Sequence, residues 1–134
     1  MKQPLYALLV APGHKTRTSI LYGGKNISIR EGHRDYRAGN PVMLCCHIEP
    51  WVVMAVITEV RHCTLAEVTE KECLDDGCQN NAELLAALKR FYPNLTMDSP
   101  ITIIRWDNVR GWLKDNDVEY RFRPQTLYSR IQPE

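Results

Sequence analysis

Gly23-Gly24-Lys25-Asn26-Ile27-Ser28-Ile29-Arg30 is the stretch whose reading decides the rest of the chain. Two glycines permit a tight turn and a close backbone approach to a ligand. From Asn26 onward polar and apolar residues alternate, and a period of two is that of a strand with opposite faces. Ile27 and Ile29 are therefore expected in the core, with Ser28 and Arg30 sharing the other face and Lys25 at the turn. An ammonium, a hydroxyl and a guanidinium on one non-core face form a donor set suited to an anionic or carbonyl oxygen.

Upstream, Tyr6-Ala-Leu-Leu-Val10 reads as a short buried strand closed by Pro12-Gly13, and His14 to Tyr22 as a short helix stopped by Gly23-Gly24. Downstream, Gly32 to Asn40 is a polar loop. Val42–Cys46 and Val52–Val60 follow as two strands joined through a Glu49-Pro50 turn. Thr69-Glu-Lys-Glu72 has the capping-box spacing, and Gly77 fits the stop of the helix it opens. A second helix starts near Asn80 or Asn81, with Leu84, Leu85, Leu88 and Phe91 on one face and Pro93 at its end. Ile101–Trp106 is a further strand. Val118, Tyr120 and Phe122 alternate, which predicts one more strand, and Pro124–Glu134 reads as a frayed tail. Short strands, a hairpin and gap-filling helices predict an α+β fold: a small mixed β-barrel with two to three flanking helices.

The chain has 134 residues, one domain's worth, with a net charge of +1. Any pull on nucleic acid must then come from a local patch. Between His14 and Arg37 lie Lys15, Arg17, Lys25, Arg30, Arg34 and Arg37 against only Glu31 and Asp35, with His14 and His33 added. Glu67 to Asp76 reverses the balance, with Glu67, Glu70, Glu72, Asp75 and Asp76 against Lys71. Five cysteines without a C-x-x-C pair fit neither a disulfide framework nor a zinc site, so reduced, structural thiols are expected and no metal or other cofactor. A ligand set of Cys46, His47, His62 and Cys63 lacks a recognisable spacing. The apolar stretch near Met1 is too short for a secretory core, and no run is long enough to span a bilayer, so a cytosolic protein without membrane contact is expected. Trp106 is expected in the core, while Trp51, Trp112, Tyr22 and Tyr36 offer stacking surface for a base.

Gly23-x-Lys25-x4-Arg30 resembles the G-x-K-x4-R signature of the ASCH family, a PUA-like β-barrel. The resemblance extends through Ala11-Pro12, the Gly39-Asn40-Pro41 step, the hairpin, the Thr69–Gly77 helix and the Leu-rich helix ending at Tyr92-Pro93. It covers roughly Leu8 to Trp106, which divides the chain into an ASCH-like domain over 1–106 and an extension over 107–134. It implies an RNA- or nucleoside-binding domain with a basic cleft built from Gly23, Gly24, Lys25, Arg30, Arg34 and Arg37.

Within the family the segment is most similar to small bacterial N4-acetylcytidine amidohydrolases, whose motif reads G-x-K-T-I-T-I-R. That branch uses a lysine, a threonine three residues later and a glutamate in the acidic helix. The similarity implies Lys25 and Ser28 in the first two roles, the hydroxyl retained, and Asp76 in the third, one methylene shorter than glutamate. Two alternatives to simple binding are thus implied: removal of an acyl group from an N4-acylated cytidine, or cleavage of RNA. A third reading is a small regulator acting through protein contacts of the C-terminal extension.

Overall fold

A computed structural model describes residues 6–10, 19–45, 52–115 and 118–122. In chain order they form β1 (Tyr6–Leu9), β2 (Ile27–Glu31), β3 (Pro41–Cys45), β4 (Val52–Thr64), a 3-10 turn (Leu65–Glu67), α1 (Glu70–Asp75), α2 (Asn81–Leu88), β5 (Pro100–Asp115) and β6 (Val118–Phe122). Residues 19–21 are also helical. The strands form one mixed sheet in the order β1-β3-β4-β5-β2, with β6 pairing to β5. The β1–β3 pair is parallel; β3–β4, β2–β5 and β5–β6 are antiparallel. The expected α+β class with a mixed sheet and short helices is the one observed. His14, Lys15, Arg17, the Glu49-Pro50 turn, Trp51 and the 124–134 tail lie outside the described residues.

The chain divides into two compact units. One comprises Met1–Asn26, Ala38–Thr58 and Trp106–Glu134; the other comprises Ile27–Arg37 and Glu59–Arg105. In the first unit, Leu8, Val42, Leu44, Val53, Ala55 and Ile57 are buried on alternate strand positions, together with Ile20 and Trp106. Trp106 is core, as its place in an apolar strand implied. In the second, Ile27 and Ile29 of β2 and Ile101 and Ile103 of β5 form one apolar face. Cys73 of α1 and Leu84 and Leu88 of α2 belong to the same cluster.

Both helix starts are set by their caps. Thr69 and Glu72 form the capping box: Glu72 N–H donates to Thr69 Oγ1 at 3.2 Å, and Thr69 N–H donates to Glu72 Oε1 at 2.9 Å. Asn80 caps α2 by accepting from Glu83 N–H at 2.9 Å. Gly77 takes φ 96°, a left-handed value that a side chain would strain, so glycine ends α1 there. Helix α2 is shorter than the apolar spacing implied. It stops at Leu88, and Phe91, expected on its apolar face, lies in the following turn with 68% of its surface exposed. The extended reading of 101–106 was also too short, since β5 runs on to Asp115. Asn108 adopts φ 53°, a region asparagine tolerates, without ending the strand.

A six-residue helix has too few internal hydrogen bonds to stand alone. Helix α1 is held by Arg61 of β4, whose Nε and Nη2 donate to Glu72 Oε2 at 3.0 Å and Oε1 at 2.6 Å, while Nη2 also donates to Glu67 O at 3.0 Å. Burial pushes the Glu72 carboxyl up, but the Arg61 guanidinium and the Thr69 donors outweigh it and hold the group below the ordinary carboxylate range. The folded state therefore binds the Glu72 proton more weakly than the unfolded chain. Its stabilisation is complete above about pH 4.3 and is lost as pH falls further. Glu72→Gln should cost about 1–3 kcal/mol at pH 7, with the difference from the parent shrinking by pH 3, in paired urea titrations at the two pH values. An equal difference at both would contradict the pairing.

Candidate functional site

The glycine turn behaves as the sequence implied at one of its two positions. Gly23 has φ 79°, whereas Gly24 sits at a conformation any residue adopts. The turn is closed by Gly23 N–H donating to Ile20 O at 3.4 Å and Lys25 N–H donating to Ser19 O at 3.0 Å. Lys25 is half-buried and belongs to the first unit; β2 with Ser28 and Arg30, and α1 with Asp76 beyond it, belong to the second.

Pairing of β2 with β5 fixes the faces. Ile27 lies opposite Arg105, Ile29 opposite Ile103 and Glu31 opposite Ile101; Ser28 lies opposite Ile104 and Arg30 opposite Thr102. Cross-strand partners share a face. The isoleucines of β2 are in the core, at 0% and 4% exposure, and Ser28 and Arg30 are on the opposite face. These two side chains touch: Arg30 Nε donates to Ser28 Oγ at 2.8 Å. Ser28 is itself only 5% exposed. Its oxygen is occupied as an acceptor, while among the described residues its proton goes to no acceptor. The hydroxyl thus keeps a donor for which no partner is found among the described residues.

One residue that the sequence reading passed over holds the loop after β2. Thr102, fully buried, donates its hydroxyl to Gly32 O at 2.6 Å and accepts from Arg34 N–H at 2.8 Å. Arg34 is further fixed by Nε donating to Glu31 O at 2.8 Å. His62 Nε2 lies 2.8 Å from Arg34 O and His33 Nε2 lies 3.4 Å from Cys63 O, with the two rings stacked at a centroid distance of 4.9 Å. Loop and strand therefore staple each other through reciprocal imidazole contacts. Arg37, by contrast, is exposed and paired with Asp35 at 3.4 Å. Of the expected cationic set, Arg30 and Arg34 are anchored in the second unit and Arg37 is on its surface.

The two aspartates at the end of α1 are distinct. Asp76 is the C-cap, its N–H donating to Glu72 O and Leu74 O. Asp75 accepts from Arg105 Nη2 at 2.9 Å and from Lys71 Nζ at 3.2 Å. The Arg105 hydrogen bond, aided by Lys71, holds the Asp75 carboxyl below the ordinary range against the opposing effect of burial. A carboxylate kept ionised in this way is poorly suited to deliver a proton near neutral pH.

Three solved structures share this arrangement of elements. An ASCH domain from Lactobacillus crispatus matches with a TM-score of 0.56 at 15% identity, over 77% of this chain and 78% of that one. The fold is ASCH-like. A protein from Enterococcus faecalis matches with a TM-score of 0.58 at 13% identity, over 86% of this chain and 82% of the other. An ASCH protein from Zymomonas mobilis gives 0.50 at 11% identity, over 97% and 82%. No protein-family model and no curated protein matches the sequence. At these identities the likeness to the ASCH-like structures is one of fold. Among the described residues, no helix is long and apolar enough to cross a membrane.

The Thr102 hydroxyl should be what keeps the loop in place. Thr102→Val, which keeps the shape and deletes the hydroxyl, strands Gly32 O and Arg34 N–H. It should cost about 1–3 kcal/mol and speed hydrogen exchange of the Arg34 amide, with Thr102→Ser restoring both. An Arg34 amide exchanging at the parent rate in Thr102→Val would contradict this role.

Proposed function

We propose that the chain binds RNA or a nucleoside at the Gly23–Arg30 segment, with Lys25, Ser28 and Arg30 meeting the ligand's oxygens. Gly23 and Gly24 allow close approach there, and Arg34 and Arg37 add positive charge. The observation that carries this reading is the Ser28 hydroxyl: buried, accepting from Arg30, and with its proton uncommitted among the described residues. A buried donor of that kind favours a ligand that brings an acceptor, such as a base carbonyl or a phosphate oxygen. The ASCH-like fold agrees, since PUA-like barrels are generally RNA-binding modules.

The same hydroxyl favours a second reading, hydrolysis of the amide of an N4-acylated cytidine. In this reaction a donor aimed at the acyl oxygen matters most as that oxygen becomes negative. Lys25 then polarises the carbonyl for attack by water, Ser28 donates to the developing oxyanion, and Asp76 takes that water's proton and passes it to the leaving amine as the C–N bond breaks, releasing the carboxylic acid and cytidine. Asp75 is held by Arg105 and Lys71.

Two measurements separate the readings. With short RNAs, binding should weaken steeply between low and moderate salt, because phosphate contacts release counterions. A flat salt response would favour an uncharged nucleoside. With N4-acetylcytidine, Ser28→Ala should slow turnover about 10²-fold or more, and Lys25→Ala should abolish it with the fold intact. Parent-like turnover in Lys25→Ala would exclude hydrolysis by this set and leave binding alone.

A further inference from the structure

Arg34 differs from the other cations of the second unit in how much of it is already held. Its main-chain N–H donates to Thr102 Oγ1 at 2.8 Å, its main-chain O lies 2.8 Å from His62 Nε2, and its Nε donates to Glu31 O at 2.8 Å. A carbonyl oxygen can only accept, so the His62 nitrogen is the donor in that contact. The His62 ring is in turn stacked on His33. Glu31 belongs to β2, His62 to β4 and Thr102 to β5. Three strands hold one arginine.

Those contacts leave over the two terminal nitrogens. Among the described residues, Nη1 and Nη2 of Arg34 meet no acceptor and no carboxylate pairs with the group. The acidic residues nearest in sequence are otherwise placed. Asp35 accepts from Arg37 Nε at 3.4 Å, and Glu31 gives Arg34 only its main-chain oxygen. The guanidinium therefore keeps its charge uncompensated, while the fixed Nε–H sets the direction of its fork. It is also tied to the strand of the proposed site: Glu31 follows Arg30 in β2, and Thr102 is Arg30's ladder partner.

We propose that Arg34 is the phosphate-binding residue of this site, so that the ligand is a nucleotide or RNA rather than an unphosphorylated nucleoside. This deepens the binding reading of the Gly23–Arg30 segment and rests on it. A planar guanidinium meets two phosphate oxygens at once, which an ammonium does not. Because folding has already ordered the side chain as far as Nε, less freedom is lost when the phosphate arrives.

The test measures affinity for cytidine, cytidine 5′-monophosphate and a short RNA at one fixed salt concentration, and follows the Arg34 side-chain N–H signals by NMR. The parent should bind the monophosphate about tenfold or more tighter than cytidine. Its Arg34 Nε–H signal should shift saturably with the monophosphate and with inorganic phosphate alone. Arg34→Lys keeps the charge and removes the fork, and should lower the monophosphate-to-cytidine affinity ratio about tenfold. Thr102→Val, which frees the Arg34 main chain, should lower the ratio part-way, Thr102→Ser should restore it, and Lys71→Gln should keep it. Either phosphate source supports the assignment, and the tighter of the monophosphate and the RNA tells which it is. Equal affinity for cytidine and its monophosphate, or an unchanged ratio in Arg34→Lys, would overturn the proposal and leave nucleoside binding standing. A parent that binds neither cytidine, nucleotide nor RNA would remove the binding reading itself. The Arg34 signals under inorganic phosphate, which need no variant, then decide: a saturable shift keeps Arg34 as an oxyanion site, and no shift overturns it.

Discussion

The pairing of β2 with β5 governs what the rest of the molecule can do. Because strand side chains alternate, the register that sets Ile29 against Ile103 also sets Ser28 against Ile104 and Arg30 against Thr102. A slip by one residue would turn Ile27 and Ile29 away from the cluster they share with Ile101 and Ile103 and drive a guanidinium into it. Burial of Ile27 and Ile29, at about 1.5–3 kcal/mol for each side chain, therefore fixes the position of the polar face as firmly as it fixes the core. The placement of Ser28 and Arg30 is a by-product of hydrophobic burial on the other side of the same strand.

Around that strand, fixation comes from polar groups used in pairs. Thr102 spends both capacities of its hydroxyl on the loop bearing Arg34, and Arg61 spends two nitrogens on Glu72. Arg105 spends its contact on Asp75. Ser28 is different, because it accepts from Arg30 without giving up its proton within the described structure. A buried polar group with unused capacity costs stability unless something meets it. That contrast between committed and uncommitted hydroxyls on one sheet face is why the proposed site is centred on Ser28.

Local signals in the sequence were dependable where local physics decides. The Thr69–Glu72 capping box, the Asn80 cap, the left-handed Gly77 and the inward Ile27 and Ile29 are each set by residues within a few positions of one another. Tertiary pairing decided the rest. Thr102 finds partners 68 and 70 residues away, and nothing adjacent in the sequence announces them. A single hydroxyl and a single arginine within the run Ile101-Thr-Ile-Ile-Arg105-Trp106 were the available clue, since polar atoms in a buried strand need partners. Phe91 was misplaced because helical spacing continued past the point where α2 ends. The candidate site was legible as a motif, whereas the Arg105 contact that holds Asp75 was not.

The measurement that bears most directly on this picture is an amide and side-chain NMR titration with cytidine, N4-acetylcytidine and a short RNA. Ligand contact at the polar face predicts shifts concentrated at 25–30, with a change in the Ser28 side-chain signals that disappears in Ser28→Ala. Saturable shifts centred elsewhere, with Ser28 and Arg30 unmoved, would contradict it.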